Sequence, residues 1–222
     1  MLSEILSAIT MDTLRFLKGN DTFFNGDKAA RTNAMADLKL PKEIITYLQE
    51  TTEKDFLNDL RGAARYAKNG NTCPENGLLK AFAQFASGPL AIRLDIMNES
   101  AHMDRDAREK LALKALPGDS TVAKTLRNLL STYSYQEISA SILELAQSCL
   151  NAPYILVQSP RRMELSLKKE IRAHIQKNHP GAFTIFQVNR RLIGGLRIFK
   201  DGTIQDYSWI SRVLKFTSLT SA

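Results

Sequence analysis

Residues 189–214 read NRRLIGGLRIFKDGTIQDYSWISRVL, and the fold expected for the C-terminal third is built outward from them. Asp201-Gly202 can supply the positive φ angles that a two-residue turn demands, and its flanks, Leu196/Ile198 and Ile204, are strand-like, so the segment predicts a hairpin. Asp206 or Ser208 can then accept a hydrogen bond from the free amides of a helix with Ile210, Val213 and Leu214 on its apolar face. Gly194-Gly195 falls within the strand pattern. Two residues without side chains weaken an ordinary strand, so the pair marks a bulge or a close approach of two backbones.

Upstream, Tyr154-Ile155-Leu156-Val157 is a continuous apolar run closed by Ser159-Pro160, the pattern of a buried strand. Met163, Leu167, Ile171 and Ile175 follow at four-residue spacing, which predicts a helix over about residues 161–177 with that stripe on the sheet and Lys168, Lys169, Arg172 and Lys177 directed elsewhere. A second strand is expected over residues 183–188. With the hairpin and final helix the order reads β-α-β-β-α, one helix packed over three strands.

Ahead of this region the period is helical. Leu2, Ile5, Leu6 and Ile9 lie on one helical face, and Phe16 and Leu17 continue it to Gly19-Asn20-Asp21. Residues 27–38 give a weaker pattern, Pro41 suits the first position of a helix carrying Ile44, Ile45 and Leu48, and another helix spans about 53–68. Leu78, Leu79, Phe82 and Phe85 form a stripe that Gly88-Pro89 is expected to end. Short helices follow around 90–97 and 104–116, then one carrying Val122, Leu126, Leu129 and Leu130. Ser134 and Glu137 form a capping-box pair before Ile138, Ile142 and Leu145. The fold class expected is mainly α with a small α+β C-terminal domain: a bundle of six to eight helices over 1–150, then the α+β part over 151–222.

The chain has 222 residues, 44% hydrophobic and 24% charged, which is ordinary for a folded protein with real cores. No apolar run approaches the ~18 residues of a membrane span, and Glu4 and Asp12 do not suit a basic, acid-poor targeting peptide. Cys73 and Cys149 lack metal-type spacing and read as two reduced thiols. Charge is unevenly divided. Residues 1–150 hold 18 Lys+Arg against 19 Asp+Glu, whereas residues 151–222 hold 12 against 4, so the C-terminal module is basic and suits an acidic partner or a nucleic acid.

Motifs for chemistry are missing. The sequence has no Gly-x-x-x-x-Gly-Lys-Ser/Thr loop to cradle a nucleoside triphosphate and no nucleophile elbow. His174 and His179 are five apart with His102 remote, which does not make a metal site, and Asp104/Asp106 suit a helix start, where the dipole favours them. No catalytic, cofactor-binding or metal-ligating residues are assigned.

The order of residues in the quoted stretch resembles the C-terminal signature of the delta subunit of F-type ATP synthases, called the oligomycin-sensitivity-conferring protein in mitochondria. The positions that carry the resemblance are Leu192, Ile193, Gly194, Gly195, Asp206, Ser208 and Leu214, with a strand, a helix and a strand before them. Asn189 stands where the family usually has Asp, and Tyr207 where it usually has Gly. The helical region ahead shows no clear match to the family's N-terminal motifs. The resemblance implies a non-catalytic stator, or peripheral-stalk, subunit that links the catalytic head to the stalk and resists rotary torque. It implies as partners the N-terminal helices of the alpha subunits, bound by the bundle, and the b subunit of the peripheral stalk, bound by the C-terminal domain. Lys168, Lys169 and Arg172 are then the candidate stalk-binding surface, and the expected location is peripheral, on the cytoplasmic face of a bacterial inner membrane, or on an organellar inner membrane for a processed chain. The signature residues are expected to shape the hairpin, with Asp206 and Ser208 as caps.

The alternative from the residues alone is a basic nucleic-acid-binding protein. Arg161-Arg162, Lys168-Lys169 and Arg190-Arg191 could grip phosphates, and Phe183, Phe186 and Phe199 lie on strands as stacking residues do in some RNA-binding sheets. Trp209, at a helix start, is expected in the core or an interface.

Overall fold

Leu2, Ile5, Leu6 and Ile9 are buried on one face of α1 (Leu2–Lys18), as their spacing requires. This is a computed structural model; it describes residues 1–70, 74–99, 105–209 and 211, and the chain divides into two units, Met1–Asn151 and Ala152–Ala222. The first unit is helical throughout: α2 (Lys28–Ala34), α3 (Lys42–Glu50), α4 (Glu53–Asn69), α5 (Gly77–Phe85), α6 (Ala91–Glu99), α7 (Arg105–Ala115), α8 (Thr121–Thr132) and α9 (Tyr135–Leu150) follow α1. Its core centres on α5, whose Leu78, Leu79 and Phe82 are buried among α3 (Ile44, Leu48), α4 (Phe56) and α9 (Ile138, Ile142), while α1 packs against α8 and α4. No described helix is long and apolar enough to cross a membrane.

Side-chain caps start most of these helices. Asp27 accepts from Ala30 N at 2.7 Å, Asn76 from Leu79 N at 2.8 Å and Ser120 from Ala123 N at 3.2 Å. At α9 the capping box is complete: Ser134 Oγ accepts from Glu137 N at 3.3 Å, and Glu137 Oε2 accepts from Ser134 N at 2.8 Å. The Ser134 hydroxyl also donates to Glu137 Oε2 at 2.7 Å, and this bond, with the one from Ser134 N, holds the Glu137 carboxyl below its ordinary pKa. Arg31 closes the far end of α3, donating to the carbonyls of Thr51 (2.7 Å) and Gln49 (3.3 Å) as well as those of Phe24 (2.7 Å) and Gly26 (3.0 Å).

The expected stop at Gly88-Pro89 does not occur. α5 runs into α6 through a π-helical turn, Ala86–Leu90, with Pro89 inside it. A wider turn re-spaces the carbonyls around a residue that has no amide to donate, so the chain bends its hydrogen-bond pattern instead of ending the helix.

The second unit carries β1 (Ile155–Ser159), α10 (Leu165–Asn178), β2 (Thr184–Val188), β3 (Arg197–Lys200) and β4 (Thr203–Asp206). The sheet order is β2-β1-β3-β4, with β1 parallel to β2 across α10 and antiparallel to β3. Asp201 (φ 45°) and Gly202 (φ 83°) form the two-residue turn between β3 and β4, and Asp201 Oδ1 accepts from Tyr154 N at 2.9 Å. The described residues hold four strands rather than three, because the arm around Ile204 pairs fully with β3. The closing helix expected to carry Ile210, Val213 and Leu214 lies outside the described residues, apart from helical geometry at Trp209 and Ser211.

Two expectations about side-chain direction are corrected. Leu167 is 42% exposed, whereas Lys168 (4%), Arg172 (3%) and Ile175 (9%) form the buried face of α10. A strict four-residue spacing drifts around a helix of 3.6 residues per turn, so Met163, Leu167, Ile171 and Ile175 cannot all meet one sheet. The guanidinium of Arg172 lies over the rings of Phe183 and Phe186, 5.1 and 5.0 Å from their centroids. The other correction concerns β1. Its burial alternates, with Ile155, Val157 and Ser159 inside and Leu156 and Gln158 half-buried, so among the described residues the apolar run is covered on one face of the sheet, by α10.

Candidate functional site

The Gly-Gly stretch is a loop laid against the chain that follows β4. Tyr207 N donates to Leu196 O at 2.8 Å and Trp209 N to Gly194 O at 3.1 Å, which carries the antiparallel pairing of β3 and β4 beyond the strands. Gly195 sits at φ +78°, and a Cβ there would collide with the carbonyl oxygen of Tyr207 and come within 2.9 Å of Ser208 Cα. At Gly194 a Cβ would lie 2.6 Å from Cδ1 of the Trp209 indole. Both glycines answer a close approach, one of backbone and one of an aromatic ring.

Asp206 and Ser208 lock this strap, the loop 194–196 with the segment 207–209 paired to it. Ser208 N donates to Asp206 Oδ1 at 2.8 Å, Ser211 N donates to Ser208 Oγ at 3.3 Å, and Arg197 donates to Asp206 Oδ2 from Nη2 (2.7 Å) and Nε (3.0 Å). Hydrogen bonds from Ser208, with Arg197 adding to them, hold the Asp206 carboxyl at a pKa of about 2, well below the usual carboxylate range. Asn189 uses both ends of its amide: Oδ1 accepts from Arg191 N at 3.1 Å and Nδ2 donates to Gln158 Oε1 at 3.0 Å, and a carboxylate could make only the first bond. Tyr207 is outside the positive-φ region and contributes its carbonyl, so a glycine is not required there.

The signature residues therefore divide. Leu192 is buried, Gly194, Gly195, Asp206 and Ser208 shape the strap, Ile193 points to solvent, and Leu214 lies outside the described residues. Trp209, expected in a core or interface, is 61% exposed within this chain. Of the candidate stalk-binding cations only Lys169 is on the surface; Lys168 and Arg172 are buried in the unit and cannot present their charge to a partner. Two of the three rings proposed for base stacking are also occupied, Phe183 being fully buried and Phe186 lying under Arg172, while Phe199 is half-buried on the other face of the sheet. His179 Nε2 lies 2.9 Å from Lys200 Nζ, and Asn178 donates to His174 O at 2.9 Å, so the two histidines have separate surroundings.

In the helical unit, α1 forms the floor of a trough. Two adjoining cavities, of about 690 and 440 Å³, share Ser7 and Met11 of α1 and Ala67 of α4. One continues to Ser3 and, across the trough, to Thr121 and Thr125 of α8; the other is lined by Leu6, Leu60, Ala63 and Ala64. The outward stripe Ser3-Ser7-Met11 is small at two positions and ends on a methionine that is 51% exposed. Ser3, Ser7, Ala63, Ala64 and Ala67 let another helix approach closely along α1 and α4, Lys124 and Asn128 make the α8 wall polar, and a flexible thioether adapts to what it meets. The sequence pattern directs attention to the buried stripe of α1; the outer stripe carries only the weaker signal of small residues at four-residue spacing.

Comparison of the chain with models of known protein families gives no match, and no curated protein matches it.

Proposed function

We propose that the chain is a non-catalytic stator subunit of a rotary F-type ATP synthase, joining the catalytic head to the peripheral stalk. The observation that carries this reading is the strap of residues 192–211. The residues that resemble the delta-subunit signature have interlocking roles: Gly195 admits the Tyr207 carbonyl, Gly194 the Trp209 ring, and Asp206 and Ser208 cap the chain beyond. The arrangement of a helical unit followed by a small mixed sheet agrees with it.

In this reading the α1 trough takes an amphipathic N-terminal helix of an alpha subunit. An apolar helix face laid on α1 and α4, with its polar edge along Thr121, Lys124 and Asn128 of α8, provides a slow off-rate with no catalytic group, which is what resisting torque demands. The basic C-terminal unit meets the stalk b subunit, where charge guides orientation and rate more than it sets affinity. Attachment to the membrane then runs through these partners. The test is a titration of the alpha subunit's N-terminal peptide from the same genome against the full chain and against Ser7→Trp, which fills the trough from its floor. Saturable binding by the wild-type chain, weakened by about tenfold or more in the variant, supports the reading; absence of binding to the wild-type chain refutes the trough.

A further inference from the structure

The register of the C-terminal sheet places Ile185, Leu156, Phe199 and Ile204 side by side across all four strands, β2, β1, β3 and β4 in that order. Side chains alternate along a strand, so this row is on the face opposite Ile155, Val157, Phe186 and Ile198, which pack with Ile171 and Ile175 of α10. No described element of the unit packs on the row: Leu156, Ile185 and Phe199 are half-buried, and Ile204 is 58% exposed. The next row is polar and tied together. Gln158 Nε2 donates to Gln187 Oε1 at 2.7 Å, and Arg197 pairs with Asp206.

β1 lies inside the sheet, and its run Tyr154-Ile155-Leu156-Val157 is apolar on both faces, the composition of a strand covered on both sides. Among the described residues of the unit only one face is covered. An apolar row bounded by an ordered polar row is the form of a docking surface, since isolated exposed apolar residues would not align across four strands. The polar end is also the basic end. Asn189, bonded to Gln158, begins the turn that carries the exposed Arg190 and Arg191, in a unit with 12 Lys+Arg against 4 Asp+Glu.

We infer that the face formed by Ile185, Leu156, Phe199 and Ile204 docks a partner's amphipathic helix whose apolar stripe is bordered by Asp or Glu at the end that meets Arg190 and Arg191. This rests on the stator reading only in identifying that helix as a segment of the stalk. The apolar row supplies affinity, and the arginines set the direction in which the helix lies.

The experiment titrates the full chain with a synthetic amphipathic helix of Leu, Ala and Glu and with its counterpart of Leu, Ala and Lys. Ile204→Glu on the edge strand and Ile185→Thr on the opposite edge serve as variants, each checked for an unchanged circular dichroism spectrum and melting midpoint. The expected result is binding of the Glu helix only, weakened by about tenfold or more in each variant and reduced in Arg190→Ala/Arg191→Ala. Equal binding of the Lys helix, or binding indifferent to both sheet variants, overturns the inference. So does binding that appears only after residues 212–222 are removed, because the chain's own C terminus would then be the occupant. Peptide binding at this face without recovery of stalk subunits from membranes would leave the surface standing and refute the stator reading. Recovery of stalk subunits that is indifferent to Ile204→Glu would do the reverse.

Discussion

The carbonyl oxygen of Tyr207 occupies the space in which a side chain on Gly195 would begin, and Gly195 itself is at φ +78°. An L-residue there meets both a disfavoured backbone conformation and a backbone collision that no rotamer relieves. Gly195→Ala is expected to cost about 2 kcal/mol or more, and Gly195→Val to unfold the second unit while leaving the helical unit intact. Hydrogen exchange resolved along the chain checks this, with amides of β1–β4 losing protection and those of α1–α9 keeping it. A stable, fully protected Gly195→Val sheet would show that the strap is not a close approach.

Asp206 supplies an acid-dependent contribution. Its pKa in the folded unit is about 2 against an ordinary value of 3.8, so its stabilisation is fully present above the ordinary value and is lost as pH falls through about 2. The wild-type second unit should therefore lose stability on acidification through that window, and Asp206→Asn, already lacking the charge, should show a flatter dependence. Denaturant midpoints measured at pH 5, 4, 3 and 2 for both proteins test it; parallel curves would contradict the assignment.

Arg172 and Lys169 are three residues apart and should respond in opposite ways. Arg172→Ala removes a guanidinium stacked on Phe183 and Phe186 together with the apolar stem that covers them, and is expected to cost about 2 kcal/mol. Lys169→Glu, on the exposed face, should change stability by no more than about 0.5 kcal/mol. Thermal unfolding separates the two. A destabilised Lys169→Glu beside an unaffected Arg172→Ala would mean that the burial of α10 is reversed.

Ser134→Ala breaks the capping box at the start of α9, leaving Glu137 N without its side-chain acceptor and Glu137 Oε2 without the Ser134 hydroxyl, and should cost about 1 kcal/mol. Chemical denaturation of the full chain reads this in the helical unit. No change in midpoint would show that the cap adds nothing to α9.

Most of the architecture was legible because it rests on local rules. Asp201-Gly202, the Ser134/Glu137 box, the stripes of α1, α5, α8 and α9, and the strap from Gly194 to Ser208 all follow from spacing and turn chemistry. What was not legible depends on contacts between distant residues. The burial of Arg172 depends on Phe183 and Phe186, which follow α10 in the chain and lie under its guanidinium, and periodicity does not report them. The π-helical turn at Pro89 needs the tertiary packing that makes bending the helix easier than ending it. The sheet face on which no described element packs was hidden because an apolar run reads as buried whether its cover comes from the same chain or from another. The outer stripe of α1 carried too little hydrophobic signal to be noticed.

The stator assignment is tested most directly by recovering the tagged chain from gently solubilised native membranes, with nuclease treatment and a salt series, and identifying what comes with it. The account predicts ATP synthase alpha and peripheral-stalk b subunits, retained after nuclease, with alpha lost in Ser7→Trp. Recovery of nucleic acid that falls away steeply with salt, and of no ATP synthase subunit, would contradict it.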